Sequence, residues 1–408
     1  MAQPHASGAP TAPGKYTTSA RTRTLSAASI VIGLIGFAAA LYSDQARAWH
    51  SFLTSFFYFT CLALGGMFFT AIQHASKAGW SVNIRRLSEA MTSFLPIAAV
   101  AAVVLLFGSK SLYIWLNADI VSKDAILAGK SAYLNLPFFA IRLAVFFGAW
   151  IIFQKVMIGN SVKQDTDGNP ERTLRNVGVA VGFLLVFALS FSLFSVDTLM
   201  SLQPHWYSTM WGVYCFAGLF QSSLAFLVIL TVAMMNRGVV RGFVSDDHLH
   251  DLGKYLMAFT VFYAYIGFSQ FLLIWYANLP EETIFFLARS SGGWMAATLA
   301  LLVFKFIVPF LLLLPRAAKR SHGHLVLVSC LILFMQYIDI HWMVYPSLVN
   351  GELDKYGGRW ILGWQEVVTF MLFGGLYLWS VTSFLSTHNV VPVKDPRIDE
   401  SIHHHVTY

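Results

Sequence analysis

The sequence predicts an all-α integral membrane protein with ten transmembrane helices. Hydrophobic residues make up 57% of its 408 residues and charged residues only 12%, and the mean hydropathy is +0.62. In soluble globular domains about a quarter of the residues are charged. A chain of this composition lacks the polar surface that a water-soluble domain needs, whereas its apolar runs are long enough to cross a bilayer as helices.

Each predicted span is an apolar run of about 20 residues, the length that a helix rising ~1.5 Å per residue needs to cross a hydrocarbon core of ~30 Å. Polar tails over 1–24 and 386–408 flank the spans, and we expect both tails to be flexible unless a partner orders them. In chain order the predicted spans are 25–42, 51–73, 89–109, 134–156, 176–194, 208–235, 255–276, 293–314, 325–345 and 362–385.

The distribution of basic residues predicts the orientation of the chain. Both tails and the loops after the second, fourth, sixth and eighth spans hold most of the 27 Lys and Arg, so the positive-inside rule makes both tails cytoplasmic. This bias explains the net charge of +7 without a nucleic-acid partner. We expect the first span to be an anchor, although Lys15, Arg21 and Arg23 before it are also typical of a cleaved signal peptide.

The two halves of the chain share short matching patterns. Asp197 and Pro204 follow the fifth span with the same spacing that Asp339 and Pro346 have at the ninth. A second match is an imidazole followed four residues later by a threonine, near the starts of the second and sixth spans: His50 with Thr54, and His205 with Thr209. Because Asp and Pro are both common at helix ends, coincidence is the competing explanation.

These matches predict a repeated four-helix unit within a membrane domain over 25–385. The first copy covers the second to fifth spans, about 51–194, and the second copy covers the sixth to ninth, about 208–345. Four crossings return the chain to the same side, so both copies enter the membrane in the same sense and the repeat is parallel. The expected architecture is two four-helix bundles with two peripheral helices, the first and the tenth.

Ionisable residues within or beside the spans are the candidates for function, because each costs about 2.5–3.5 kcal/mol at mid-bilayer on insertion scales. Acids, imidazoles and amines linked by hydrogen bonds form proton relays in membrane proteins. The competing interpretation is structural: an aspartate that caps a helix, or a cation that pairs with a buried carboxylate or carbonyls. The proton-path candidates are Asp197, His205, Asp339, His341, Arg142 and Lys305.

Within this set, Asp339 and His341 are two positions apart on one helix, so we expect them to face different neighbours. Pro309 follows Lys305 by about one turn, and we expect it to kink the eighth helix and free a carbonyl that the Lys305 ammonium meets.

The sequence carries no motif for a bound redox group. It has no CxxCH haem-attachment motif, P-loop or glycine-rich dinucleotide fingerprint, and Cys61, Cys215 and Cys330 each occur singly within a span. The histidines lie near span ends, so neither a bis-histidine haem nor a metal site is expected. Any redox chemistry would belong to a quinone or to neighbouring subunits.

Four stretches carry a resemblance to a known family: HWYSTMWGVYCFAG (205–218), YIGFSQFLLIWYANLPEET (265–283), FKFIVPFLLLLPRAAKR (304–320) and QYIDIHWMVYP (336–346). In them, and through all ten spans, the sequence resembles the ActF membrane subunits of bacterial alternative complex III, a quinol:electron-acceptor oxidoreductase. These subunits belong with the NrfD and PsrC type. Members of the family have ten helices, with four-helix bundles formed by helices 2–5 and 6–9.

The resemblance implies a cofactor-free, non-catalytic subunit in the bacterial inner membrane that scaffolds the complex and provides a proton half-channel. The implied partners are a quinol-binding sister subunit, an iron–sulfur subunit and multihaem cytochromes, which carry the quinol, the iron–sulfur clusters and the haem c. The candidate residues do not match a family proton motif one by one, so their roles depend on burial and on position in the repeat.

Two other functions remain open at this point. The chain is a quinol-binding subunit in its own right if a carboxylate and a histidine, with Asp197 and His205 as the obvious pair, share a cavity open to lipid. A secondary transporter is the third interpretation. Many transporters have inverted repeats with helices broken at paired positions, whereas Pro96 and Pro309 are isolated interruptions in a repeat that is expected to be parallel.

Overall fold

The computed structural model describes residues 13, 15–349 and 359–406. In these residues the chain is helical without strands, and ten helices are long and apolar enough to span a membrane, which confirms the predicted number and order of spans. The helices are α1 (Ala20–Ser43), α2 (Gln45–Ala75), α3 (Val82–Leu112), α4 (Leu136–Asp167), α5 (Glu171–Leu202), α6 (Trp211–Asn236), α7 (Asp246–Ala277), α8 (Gly293–Leu313), α9 (His322–Leu348) and α10 (Trp364–Thr387).

Most helices extend beyond their apolar runs, and polar side chains cap the starts of several of them. The Asp44 carboxylate accepts a hydrogen bond from the Arg47 backbone N–H at 3.1 Å and starts α2. Asn135 caps α4 in the same way, and Gly168 ends that helix with a positive φ of 64° that favours glycine. Hydropathy alone does not detect these polar first and last turns.

Two of the helices are irregular, and both contain a proline. In α3 a short 3₁₀ turn over Thr92–Phe94 separates Val82–Met91 from Leu95–Leu112, which has Pro96 in its first turn. In α8 a π-helical segment covers Leu301–Ile307, immediately before the turn that contains Pro309. Proline has no N–H to donate to the carbonyl four residues earlier, so a continuous α-helix cannot pass through it undisturbed.

Helices α2 and α6 lie at the centre of the bundle. In their most apolar windows 94% and 78% of the residues are buried, against 22% for α1. Helix α2 contacts α3, α5, α6, α9 and α10, so it joins the two halves of the chain. Helix α1 packs closely on α10, where a Cβ on Gly33 would come within 2.6 Å of Leu372. Any larger residue at position 33 would therefore push the two helices apart.

The bundle has two ends, which we call the tail face and the loop face. The tail face holds the start of α1 and the end of α10, and the loop face holds the end of α1 and the start of α10. The described part of the C-terminal tail, 388–406, has partners in the bundle. It packs on the tail face, where Asp395 binds Arg85 at 2.5 Å and Ser401 accepts a hydrogen bond from the Asn83 backbone N–H at 3.2 Å.

Candidate functional site

A salt bridge that is shielded from solvent lies between α8 and α9. The Lys305 ammonium is 2.6 Å from Oδ2 of Asp339, and the two side chains are 0% and 1% exposed. Tyr214 of α6 donates its hydroxyl to Oδ1 of Asp339 at 2.7 Å, and the Tyr263 hydroxyl of α7 is 2.9 Å from that of Tyr214. We call these four residues the Lys305 centre. Each of its members comes from a different helix of the second half.

The π-helical segment of α8 shapes this centre. The Lys305 carbonyl cannot receive an N–H from Pro309, and Nε2 of Gln221 donates to it instead at 3.4 Å. The same Gln221 nitrogen lies 3.0 Å from the Thr260 hydroxyl. The kink predicted at Pro309 therefore corresponds to a widened turn of α8. The predicted contact between the Lys305 ammonium and a freed carbonyl is wrong, because the ammonium binds Asp339 and the Lys305 carbonyl accepts from Gln221.

A second buried salt bridge lies between α4 and α5, near the loop face. Arg142 binds Asp197 with two hydrogen bonds, from Nε to Oδ2 at 2.7 Å and from Nη2 to Oδ1 at 3.2 Å. A third hydrogen bond runs from Nη1 to the Tyr133 carbonyl, and the guanidinium carbon lies 3.9 Å from the centre of the Tyr133 ring. We call these three residues the Arg142 centre. Each of the two buried cations thus contacts a buried carboxylate.

Tyr133 precedes α4 and lies outside the membrane-spanning helices. Burial, and then the nearby Asp197 carboxylate, raises the pKa of its phenol to about 12. The phenol therefore stays neutral even in moderately alkaline solution and does not add a second negative charge beside Asp197.

His205 and Asp197 do not pair. Nε2 of His205 is 2.5 Å from Oδ2 of Asp124 in the 113–135 connection, and these side chains are 38% and 26% exposed. The hydrogen bond from His205 is the main cause that lowers the pKa of the Asp124 carboxyl. Since Asp197 is held by Arg142, the acid and the imidazole that stand eight positions apart in sequence belong to separate contacts.

His341 faces away from the Lys305 centre, as its two-residue offset from Asp339 predicts. It is fully buried, and its ring stacks on Tyr345 with 3.7 Å between centroids and lies 4.6 Å from Trp360. Among the described residues neither ring nitrogen has a hydrogen-bond partner of normal geometry. His341 is therefore an imidazole in an aromatic cage near the loop face, separate from the other candidates.

Sequence reasoning missed a carboxylate at the loop face. Glu366, in the first turn of α10, accepts hydrogen bonds from Nε and Nη2 of Arg47 at 2.8 and 2.7 Å and from the Tyr345 hydroxyl at 2.6 Å. Ser51 lies 2.8 Å from the same tyrosine hydroxyl. Glu366 lies inside the predicted tenth span, so the signal that singled out Asp339, a carboxylate within an apolar run, was present there as well.

A further set of buried charges lies at the tail face and was also missed. Arg86 of α3 lies 3.1 Å from Glu89 and 3.0 Å from Asp165 of α4, and the Ser161 hydroxyl donates to Glu89 at 2.8 Å. Arg85 binds Asp395 from the C-terminal tail. The predicted third span began at residue 89, so the two arginines were counted as loop residues although they lie on a buried helix.

The fold and these contacts define the class of the chain: a multi-pass helical membrane protein whose helices are joined by buried ion pairs. Within the described ranges no group of three or more His, Cys, Asp or Glu is arranged to hold a metal ion. No protein-family model matches the chain, and no curated protein matches it either.

Proposed function

We propose that the chain is a cofactor-free membrane subunit of a quinol:electron-acceptor oxidoreductase of the alternative complex III type, which scaffolds the complex and carries part of a proton path. The observation that supports the proton path is the Lys305 centre, where a salt bridge and two tyrosine hydroxyls form a continuous hydrogen-bonded group. A group of this kind inside a spanning bundle is uncommon unless it has a function.

The repeat proposed for the two halves gains support from the ion pairs. Arg142 and Asp197 join α4 to α5, and Lys305 and Asp339 join α8 to α9. In two parallel copies made of α2–α5 and α6–α9, these are the same pair of helices, and in both copies the cation precedes the acid. An aromatic ring of a tyrosine also lies on each cation, Tyr133 on the first and Tyr263 on the second.

The two centres are suited to different tasks. Arginine does not lose its proton in proteins, whereas a desolvated lysine does so readily. In the proposed path the Lys305 ammonium passes a proton to Asp339, and the Tyr214 and Tyr263 hydroxyls extend the hydrogen-bonded route towards α7. The Arg142 centre keeps its charges and holds α4 against α5.

The partners and the location follow from the resemblance and belong to the same proposal. The quinol lies in a sister subunit, the iron–sulfur clusters and haem c lie in an iron–sulfur subunit and in multihaem cytochromes, and both tails are cytoplasmic at a bacterial inner membrane. Isolation of the native complex with all its subunits identified tests this part. Recovery of the chain without redox partners would contradict it and favour a transporter.

The proton path is tested by Asp339→Asn in the complete complex, reconstituted in liposomes, with proton release and quinol oxidation measured together. We expect fewer protons per quinol in the complexes that still assemble, because the amide cannot take up a proton as the carboxylate does. Asp197→Asn is the matched control at the other centre and should lower the ratio less. Unchanged pumping in both variants would remove these residues from the path.

The alternative of a quinol-binding subunit loses its obvious pair of residues. Asp197 and His205 have separate partners, so they offer no common carboxylate and imidazole to a quinol. Titration of the purified chain with a quinone analogue tests this alternative directly, and saturable binding would revive it.

The transporter alternative is not favoured either, since Pro96 and Pro309 interrupt α3 and α8, which do not correspond in the proposed repeat.

A further inference from the structure

A polar groove of about 230 Å³ opens at the tail face between the start of α1 and the end of α10. Arg23 and Ser26 line it from α1, and Trp379 and Ser383 line it from α10. Below the groove the helices touch: a Cβ on Gly375 would lie 2.9 Å from the Ser26 carbonyl oxygen. The groove therefore begins where the close packing of α1 on α10 ends.

The groove presents hydrogen-bond donors that the protein leaves unused. Among the described residues, the Arg23 guanidinium, the Trp379 indole N–H and the Ser26 and Ser383 hydroxyls have no side-chain partner. Ser26 is only 3% exposed, and its hydroxyl lines the groove without a partner in the described protein. A donor in this position is satisfied when a ligand or water in the groove accepts from it.

The electrostatics of the groove favour an anion. No Asp or Glu occurs before Asp44, which starts α2 at the loop face, while Arg21 and Arg23 precede the apolar part of α1. The single acid of α10 is Glu366, which also lies at the loop face and is bound by Arg47. No carboxylate of either helix is thus near the groove to compete for the Arg23 guanidinium.

Apolar side chains continue from the groove along the outside of the bundle. Leu25 is 57% exposed and Leu378 is 43% exposed, and α1 is the least buried of the ten helices. Trp379, which is 44% exposed, belongs to the residue type that is enriched at membrane–water interfaces. The site thus has donors for a charged head and an apolar surface next to them.

We propose that this groove binds the phosphate of an anionic phospholipid, with its acyl chains along the exposed faces of α1 and α10. The phosphate accepts from Arg23, Ser26, Ser383 and Trp379. Basic pockets beside membrane-spanning helices bind acidic head groups through this chemistry. Free inorganic phosphate shares it, but lacks the chains that would cover Leu25 and Leu378.

The test uses the full chain, purified in detergent, stripped of lipid and titrated with phosphatidylglycerol or phosphatidylcholine while native mass spectrometry counts bound lipids. We expect phosphatidylglycerol to bind preferentially, and Arg23→Gln to weaken it about fivefold through the loss of one charge contact. Ser26→Ala should weaken it less, because a neutral donor is lost. Arg21→Gln is the matched control: it removes the same charge two residues away, outside the groove, and should bind like the wild type.

Equal effects of Arg21→Gln and Arg23→Gln would overturn the proposal, since they would indicate general attraction to basic residues. Equal binding of the two lipids would also overturn it. In a separate arm, inorganic phosphate is added to the lipid complex. Displacement of the lipid by millimolar phosphate would identify a free-phosphate site instead, whereas retention supports the lipid.

Discussion

The Arg142 centre and the Lys305 centre join successive helices in the two halves of the chain, yet they differ in chemistry. Arg142 holds Asp197 through two hydrogen bonds of fixed geometry and adds a third to a backbone carbonyl. Lys305 makes one contact with Asp339, and two tyrosine hydroxyls supply the rest of the network. The same arrangement of helices thus supports an arginine–carboxylate pair of fixed geometry in one half. In the other half it supports a hydrogen-bonded group that contains the proposed proton donor, Lys305.

The local backbone differs as well. Arg142 lies in the second turn of a regular α-helix whose start is capped, whereas Lys305 lies in a π-helical segment before a proline. Segments of this kind recur at functional sites because the widened turn releases backbone groups and redirects side chains. The regular helix presents Arg142 to Asp197, whereas in the irregular one the Lys305 side chain meets Asp339 and its carbonyl meets Gln221.

Removal of one member of a pair should have the largest effect on stability. Asp339→Leu leaves the Lys305 ammonium buried without a counter-ion, and we expect a loss of about 3–5 kcal/mol in the free energy of unfolding. The double variant Lys305→Met with Asp339→Leu should recover most of that loss, because no unpaired charge remains. Unfolding in mixed micelles measures both. If the double variant is as unstable as the single one, the pair is not the source of the effect.

Replacement of either cation by the other type of basic residue should have an intermediate effect on stability. Arg142→Lys loses one of the two carboxylate hydrogen bonds and the contact with the Tyr133 carbonyl, so we expect about 2 kcal/mol of destabilisation. Lys305→Arg keeps the charge but must fit a larger group into a closed site, at about 1–3 kcal/mol. Thermal unfolding in detergent reports stability, and proton release reports function. Normal proton pumping by the Lys305→Arg variant would contradict the proposed role of Lys305 as a proton donor.

The exposed pair of His205 and Asp124 should have the smallest effect. The hydrogen bond from His205 lowers the folded-state pKa of the Asp124 carboxyl below its ordinary value of 3.8. The stability that this carboxylate contributes is therefore fully present above about pH 4 and is lost as the pH falls through the lowered pKa. Asp124→Asn should match the wild type in strong acid and differ slightly at neutral pH. A larger difference in acid than at neutral pH would contradict this assignment.

The sequence was sufficient for the ten spans because each must hold about 20 apolar residues, a constraint that composition reveals directly. It was also sufficient to single out Arg142, Lys305, Asp197 and Asp339, since ionised groups in apolar runs are rare. It did not reveal that these residues form two pairs. Pairing depends on the rotation of neighbouring helices about their axes, which the order of residues along one chain does not specify.

The errors had a different physical origin. His205 was grouped with Asp197 because the two are close in sequence, but the Asp124 carboxylate reaches His205 from a connection 81 residues away. The contacts of the C-terminal tail were not predicted, because its polar composition does not indicate which residues of the bundle it meets. The structure places Asp395 of the tail on Arg85 of α3.

The contact between Arg85 and Asp395 also has a consequence for biogenesis. The two residues are 310 positions apart, so at about 5–20 residues per second the ribosome needs roughly 15–60 s between them. Before Asp395 is made, the folded-state carboxylate left for Arg85 is Glu89, at 3.7 Å, which Arg86 also contacts at 3.1 Å. A chain that stops before residue 395 therefore lacks the nearer of the two carboxylates that Arg85 contacts.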